Sequence, residues 1–527
     1  MRRTTPGSAW HARALLAYVA VWGLISPSAF AEPVPLPKTY SQGDTSPVHA
    51  SPWWELLGEP VLTQHMESAL RDNLEIQMAY DRLTIARASA LQTASSLVPT
   101  VSADLNWSTQ PFDTFGFSFQ ALNMNAIPEF TLPAPGGGTT ATAPGTGTPT
   151  GTGGTGGTTT GSAFPDLGAL GEAADEEEDP DLFHSGQYTI TARWNIDLFG
   201  RQTMAWRASH LEAQATKGDV SAMILGVTGQ IGQAYVEAQF AREQARILEE
   251  QLSYQTALLD DMNARYVRGL VPGTDLLQQR QRTESLEAAV APARAFAEAQ
   301  LRGLGTLLGQ PPETLPALSE GLPALPDVPS IGQPSDLLRH RPDLVAAERR
   351  VEAARRNVAA AALGFAPTLA ATASTGRQYT WLSEYDEQDF WSAGAQVSLP
   401  LFGGGARHAG LQAARANQNM ASRDYTRQAW STVSEVEAAV ASNAAQRSAL
   451  AARRAARDDA AQLLEQITDG YLAGVYPYLQ VISAQDADLS GALGMLQAQR
   501  DALLAHIRLT TAVAGPWVTQ TVDGGQP

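Results

Sequence analysis

The residues able to carry covalent or metal chemistry are few in this chain, and their spacing does not suit it. Cysteine is absent, which excludes thiolate nucleophiles, thiolate metal sites and a disulfide-stapled fold. Lysine occurs only at Lys38 and Lys217, and neither lies in the Gly-Lys-Ser/Thr context that cradles a nucleotide phosphate. The eight histidines are scattered, with no His-x-x-x-His pair of the zinc kind and no convergent set around a nucleophile. No enzyme activity, metal or cofactor is therefore expected. What recurs instead is Tyr-x-x-Gly-x-x-Pro, in RYVRGLVPGTDLLQQ and again in GYLAGVYPYLQVISA, pairing Tyr266 with Tyr471, Gly269 with Gly474 and Pro272 with Pro477. Such residues reverse a chain and make hydrogen bonds; they do not break bonds in a substrate.

The elements that must position these turns are long. Met204 to Tyr266 and Arg407 to Tyr471 are rich in Ala, Gln, Arg and Glu and nearly free of proline, so each reads as one very long helix. At a rise of about 1.5 Å per residue, each extends roughly 95 Å, against about 11 to 12 residues for an ordinary globular helix. A second helix follows each turn, from Asp275 to about Leu308 and from Tyr478 to about Val513, which makes two antiparallel hairpins with both turns at one far end. A gapless alignment of Leu70 onwards with Leu338 onwards also pairs Arg71/Arg339, Arg82/Arg350, Arg87/Arg355, Pro99/Pro367 and Thr100/Thr368. The chain thus reads as an internal two-fold repeat, with halves at 32–310 and 335–515, a proline-rich linker at 311–334 and a tail at 516–527.

Each half also carries two alternating segments. Val101, Ala103, Leu105 and Trp107 alternate with Ser102, Asp104, Asn106 and Ser108, and Tyr188 to Leu198 alternates likewise. Leu369, Ala371 and Ala373, then Trp391 to Leu399, repeat the pattern more weakly. Taken alone, such alternation fits a soluble sheet with one buried face as well as a membrane barrel. The N-terminus weighs on the choice. Arg2, Arg3 and Arg13 precede an apolar run from Ala14 to Ile25 and then Ala29-Phe30-Ala31, which reads as a signal peptide over 1–31, with no cysteine after it to take a lipid. Export, together with helices too long for a sandwich, favours the barrel. Four strands cannot close one, so several chains must share it. The connection at about 130–186 holds the Gly/Thr/Pro tract Pro135 to Gly161 and the acidic run Asp175 to Asp179, expected to be a solvated outer loop. The second connection, about Tyr379 to Phe390, reads as short, acidic and aromatic. A net charge of -18 argues against a nucleic-acid partner.

WWELLGEPVLTQHMESALRDN at Trp53 to Asn73, WNIDLFGR at Trp194 to Arg201, RHRPDLVAAERRVEAAR at Arg339 to Arg355, LPLFGGGAR at Leu399 to Arg407 and the two tyrosine turns together resemble the TolC-like outer membrane efflux proteins, NodT-type branch. The resemblance implies an α+β fold in a homotrimer. Long helical hairpins form a periplasmic tunnel, and four strands per chain build a shared 12-strand barrel in outer membrane lipid. It implies docking to a periplasmic adaptor (membrane fusion protein) and an inner membrane pump of resistance-nodulation-division (RND) type, for export of small molecules. Many members of this branch carry a lipid-modified N-terminal cysteine, from which this sequence departs. By position, Tyr471 matches the gating tyrosine and Asp275 the first-tip carboxylate, with Tyr266 and Tyr476 also at the tips. The usual basic partner falls on Gly470 or Tyr476, and the pore-ring carboxylates fall on Gln480 and Ser483, leaving Asp486 one helical turn deeper as a displaced ring. An exporter for an ABC-type system and a non-pore periplasmic coiled-coil protein remain alternatives.

Overall fold

Proline-free runs become helices wherever the composition asks for them. The computed structural model describes residues 37, 39–41, 46, 51–111, 182–311, 313–381 and 385–523. The expected signal peptide, the Gly/Thr tract and the acidic run at 175–179 lie outside these residues. A 3-10 turn at Trp53–Leu57 leads to α1 (Pro60–Asp72) and α2 (Leu74–Ser95). After β1 (Thr100–Pro111) and β2 (Leu182–Ile196) come α3 (Arg201–Val267) and α4 (Gly273–Leu307). Then follow α5 (Pro334–His340), α6 (Pro342–Leu363), β3 (Thr368–Trp381), β4 (Tyr385–Ser398), α7 (Ala406–Leu472), α8 (Tyr478–Val513) and α9 (Trp517–Asp523). Helices α3 and α7 each hold 67 residues, which at 1.5 Å per residue is about 100 Å. Asp197 opens α3: its carboxylate accepts from the Gln202 amide at 3.0 Å and the Thr203 amide at 2.7 Å, satisfying donors that the first turn leaves free.

The described residues fall into two compact units, a helical one drawn from Met1–Pro99, Trp194–Ala371 and Ala395–Pro527, and a sheet drawn from Thr100–Arg193 and Thr372–Gly394. In the helical unit α3 packs against α2, α4, α6 and α8, while α7 packs against α6 and α8. Its main core gathers Trp53, Trp54, Met66, Ile224, Ile231, Tyr235, Leu304, Leu503, Ile507 and Trp517. Approach is close enough to demand glycine at 232, where a Cβ would lie 2.2 Å from the Trp53 ring. Between α4 and α5 the chain is irregular but held. The Ala317 carbonyl meets His65 Nε2 at 2.7 Å, Ser319 Oγ meets the Tyr235 hydroxyl at 3.0 Å, and Gln499 Nε2 donates to the Pro323 carbonyl at 3.1 Å. Helix α9 stands in the tail, where no element was expected.

The sheet has the order β1-β2-β3-β4. Strands β1 and β2 are antiparallel in a register that sorts the faces: Val101, Ala103, Leu105 and Trp107 lie opposite Ala192, Ile190, Tyr188 and Gly186, while Ser102, Asp104 and Asn106 lie opposite Thr191, Thr189 and Gln187. A slip of one residue would mix the two sets. Two expected connections need correction. Strand β2 begins at Leu182, inside the stretch read as loop to 186, and β3 and β4 run through most of the stretch read as a turn from Tyr379 to Phe390. The acidic residues there are paired across strands: Arg377 Nε donates to Asp389 at 2.6 Å and its guanidinium also pairs with Glu387. Tyr379, Trp381 and Tyr385 pack beside them, with ring centroids 5.3 to 6.1 Å apart. Among the described residues no helix is long and apolar enough to cross a membrane.

Candidate functional site at the hairpin turns

Both long helices end in the same way. Gly269 takes φ 72° and donates to the Tyr266 carbonyl at 2.8 Å, while Leu270 donates to Arg265 at 3.0 Å. Gly474 takes φ 75° and donates to the Tyr471 carbonyl at 2.9 Å, while Val475 donates to Gly470 at 2.8 Å. A left-handed residue here costs least as glycine, and Pro272 and Pro477 then sit at the N-caps of α4 and α8, where a missing N–H costs nothing. Each turn also seats a tyrosine on a glycine. The Tyr266 ring lies 3.4 Å from where Gly273 would carry a Cβ, and the Tyr476 ring 2.3 Å from the corresponding point on Gly470. The two positions where a basic partner was sought, Gly470 and Tyr476, are therefore one packed pair.

Tyr471 is half-buried among Met262, Tyr478, Val481, Leu258, Leu276 and Ile467, its ring 5.5 Å from that of Tyr478. Burial, and after it the nearby Asp275 carboxylate, push the Tyr471 phenol above its ordinary value. Asp275 is thus close enough to act on Tyr471 by charge, while its carboxylate accepts from Thr274 Oγ1 at 3.2 Å. Gln480, Ser483 and Asp486 share one exposed face of α8, opposite buried Tyr478, Val481, Ala484 and Gln485. Asp486 is not a free charge, however: Arg282, from α4 and only 12% exposed, pairs with it at 2.8 Å and donates to the Ile482 carbonyl at 3.1 Å.

A buried polar seam beside this pair escaped the sequence reading. Tyr478 donates to Gln279 Oε1 at 2.6 Å, Gln279 Nε2 donates to Gln255 Oε1 at 2.7 Å, and Gln255 Nε2 donates to Gln485 Oε1 at 3.1 Å. All four side chains are buried, and they tie α3, α4 and α8 together. Glutamines are common on both faces of these helices, so type and spacing did not single these out. The seam is built of hydrogen bonds between uncharged side chains. Among the described residues no group of His, Asp and Glu is placed to hold a metal.

Residues 161–310 and 333–515 match the family described as outer membrane efflux protein. The chain belongs to that family. Among relatives of this efflux protein, the pyoverdine export outer membrane protein OpmQ of Pseudomonas aeruginosa is 22% identical over 88% of this chain and 87% of its own. Nodulation protein T of Rhizobium leguminosarum bv. viciae is 22% identical over 95% and 92%. Among solved structures, the outer-membrane channel OprN superposes with a TM-score of 0.71 at 21% identity, covering 94% of this chain and 100% of its own. The CmeC outer membrane channel of Campylobacter jejuni gives 0.71 at 17% identity, covering 92% and 94%. The efflux protein therefore has the fold of TolC-like outer membrane channels, a family of conduits and not of enzymes.

Proposed function

We propose that this efflux protein is the outer membrane component of a tripartite pump. Three copies pool their strands into a 12-strand barrel, and the helical hairpins form a periplasmic tunnel whose tips meet a periplasmic adaptor and, beyond it, an inner membrane pump of RND type. One observation carries the reading: the apolar face of the sheet is bare, with Val101, Leu105, Trp107, Trp391 and Val397 all more than 60% exposed. A soluble sheet would bury such a face; lipid accepts it. The aromatic group Trp107, Tyr379, Trp381 and Tyr385 at one end of that face suits the belt where a barrel meets lipid headgroups. The relatives support the cargo class, since their names speak of pyoverdine export and of solvent and toluene efflux. Exposed Val267, Leu270 and Leu277 at the first turn and Val475 and Leu479 at the second offer apolar tips to an adaptor. The test is the mass of the detergent-solubilised protein together with its conductance in planar bilayers. A particle of about three chains that opens discrete channels is expected, and a soluble monomer without channels overturns the reading.

A further inference from the structure

The polar face of the sheet has its own chemistry. Trp381 shares the apolar face with Trp107, their ring centroids 5.1 Å apart, so strand alternation puts Ser374 and Gly376 on the opposite, polar face with Thr189 and Asp104. Strand β4 joins them there: Ser392 Oγ is 2.7 Å from Ser374 Oγ, and Phe390 reaches over Gly376. Most side chains on this face are hydroxyls and amides. The exceptions include the carboxylates of Asp104 and Asp386, the Arg193 guanidinium and the ring of Phe390; Asp386 lies four residues along β4 from the ring, about 14 Å away, which leaves Asp104 and Phe390 as the pair that shares a row.

They stand at the two ends of one row across the sheet, Asp104–Thr189–Gly376–Phe390. Asp104 is the register partner of Thr189. Gly376 faces the β2 backbone so closely that a Cβ would lie 2.2 Å from the Tyr188 carbonyl oxygen and 3.0 Å from the Thr189 Cα, so no larger residue fits. The vacant space is used by Phe390, whose Cζ lies 2.9 Å from that Cβ point; the ring lies down along the sheet, and Phe390 is partly buried while the other residues of β4 are exposed. Two strand spacings of about 4.8 Å separate Gly376 from Asp104, so ring and carboxylate are roughly 10 Å apart. The cation on this face nearest in register, Arg193, lies opposite Thr100, four residues along β1 and therefore about 14 Å from Asp104. Asp104 instead accepts from Ser102 Oγ at 3.3 Å. Its charge stays available.

We infer that this row is a binding trough for planar aromatic cations, with Phe390 stacking on the ring system and Asp104 holding the charge. The inference rests on the polar face being the lumen of the proposed pore, where three copies supply three troughs. A fused-ring cation about 10 Å long spans the row, its ring system over Phe390, which covers buried Gly376, and its charged end reaching past the Thr189 hydroxyl to Asp104. Such sites hold cargo weakly enough to release it, as conduction requires.

Ethidium block of single channels in planar bilayers tests this. Asp104→Asn and Phe390→Leu are each expected to weaken block about three- to tenfold, measured against the unblocked potassium conductance of the same variant, the loss of one charge contact or one ring contact near solvent. Asp104→Glu and Phe390→Tyr, which keep charge and ring, should retain block and show that the positions tolerate substitution. Uncharged phenanthridine should respond to Phe390→Leu and not to Asp104→Asn. Equal ethidium block in native, Asp104→Asn and Phe390→Leu channels that still conduct overturns the trough and leaves the pore standing. Failure of the native protein to open channels removes the pore reading, and the trough with it.

Discussion

At the scale of single residues, the tip seam is where charge and hydrogen bonding concentrate. Tyr478→Phe removes the donor to buried Gln279 Oε1 without changing volume much, and an unsatisfied buried acceptor costs about 1–3 kcal/mol. Its apparent melting temperature should therefore fall, and an unchanged melt would mean that the seam contributes nothing. Asp275 lies near enough to Tyr471 to disfavour its phenolate, and with the two proposed as the gate, Asp275→Ala combined with Tyr471→Phe should loosen the tips and raise single-channel conductance; unchanged conductance would sink their assignment as a gate. His506 offers a pH test. It is fully buried, Arg447 lies 3.4 Å from its Nδ1, and burial followed by the Arg447 charge lowers its pKa to about 4. The unfolded imidazole takes up a proton near its ordinary value of about 6.5, the folded one only near 4, so stability is full above 6.5 and declines as pH falls through that window, by about 3 kcal/mol. His506→Leu should flatten the dependence of melting on pH between 6.5 and 4, and an equally steep variant would contradict the assignment.

At the scale of elements, the turns show why certain positions accept only one residue. Gly470→Ala drives a methyl into the Tyr476 ring, which must leave its seat, so the α7–α8 turn should lose about 1–3 kcal/mol. Adding Gly470→Ala to Tyr476→Ala should cost far less than adding it to the native chain, and a cycle of melting measurements reads the coupling directly. Helices α3, α4, α7 and α8 were legible within a few residues, since alanine-rich, proline-free runs and a Gly/Pro turn leave little choice. Strand ends were not. Glu387 and Asp389 read as a loop because charge alone cannot reveal that Arg377 stands across the next strand to pair with them. Nor were Gln255, Gln279 and Gln485 legible as buried, because a glutamine facing another helix is the same letter as one facing water. Tyr471 and Asp275 were legible as neighbours only through the family resemblance, and Arg282, which pairs with Asp486, was missed because it lies on the other hairpin.

At the scale of the whole molecule, the sheet poses a closure problem that one chain does not solve. Its order β1-β2-β3-β4 leaves β1 and β4 as edges, each with a row of backbone donors and acceptors, and β1, β2 and β4 carry large exposed apolar side chains. In lipid those edge groups have no water to turn to, and each unsatisfied one costs several kcal/mol, so the edges must meet each other. Within one chain that would make a four-strand barrel, too small to hold side chains; on the proposed reading, β1 of one copy meets β4 of the next and the ring closes at the number that satisfies strand tilt. The chain has no cysteine, so cysteines introduced one on β1 and one on β4 report this contact alone. A disulfide needs Cα atoms within about 7 Å, which adjoining strands satisfy and remote ones do not. Ser102 or Asn106 on β1, combined in turn with Ser392 or Gln396 on β4, samples the unknown register between copies while keeping every introduced thiol on the polar face. Mild oxidation in outer membranes should yield a ladder that stops at three chains for at least one combination. A ladder that stops at two, or one that climbs without limit, would mean that the edges close in another way, and the 12-strand barrel would have to be given up.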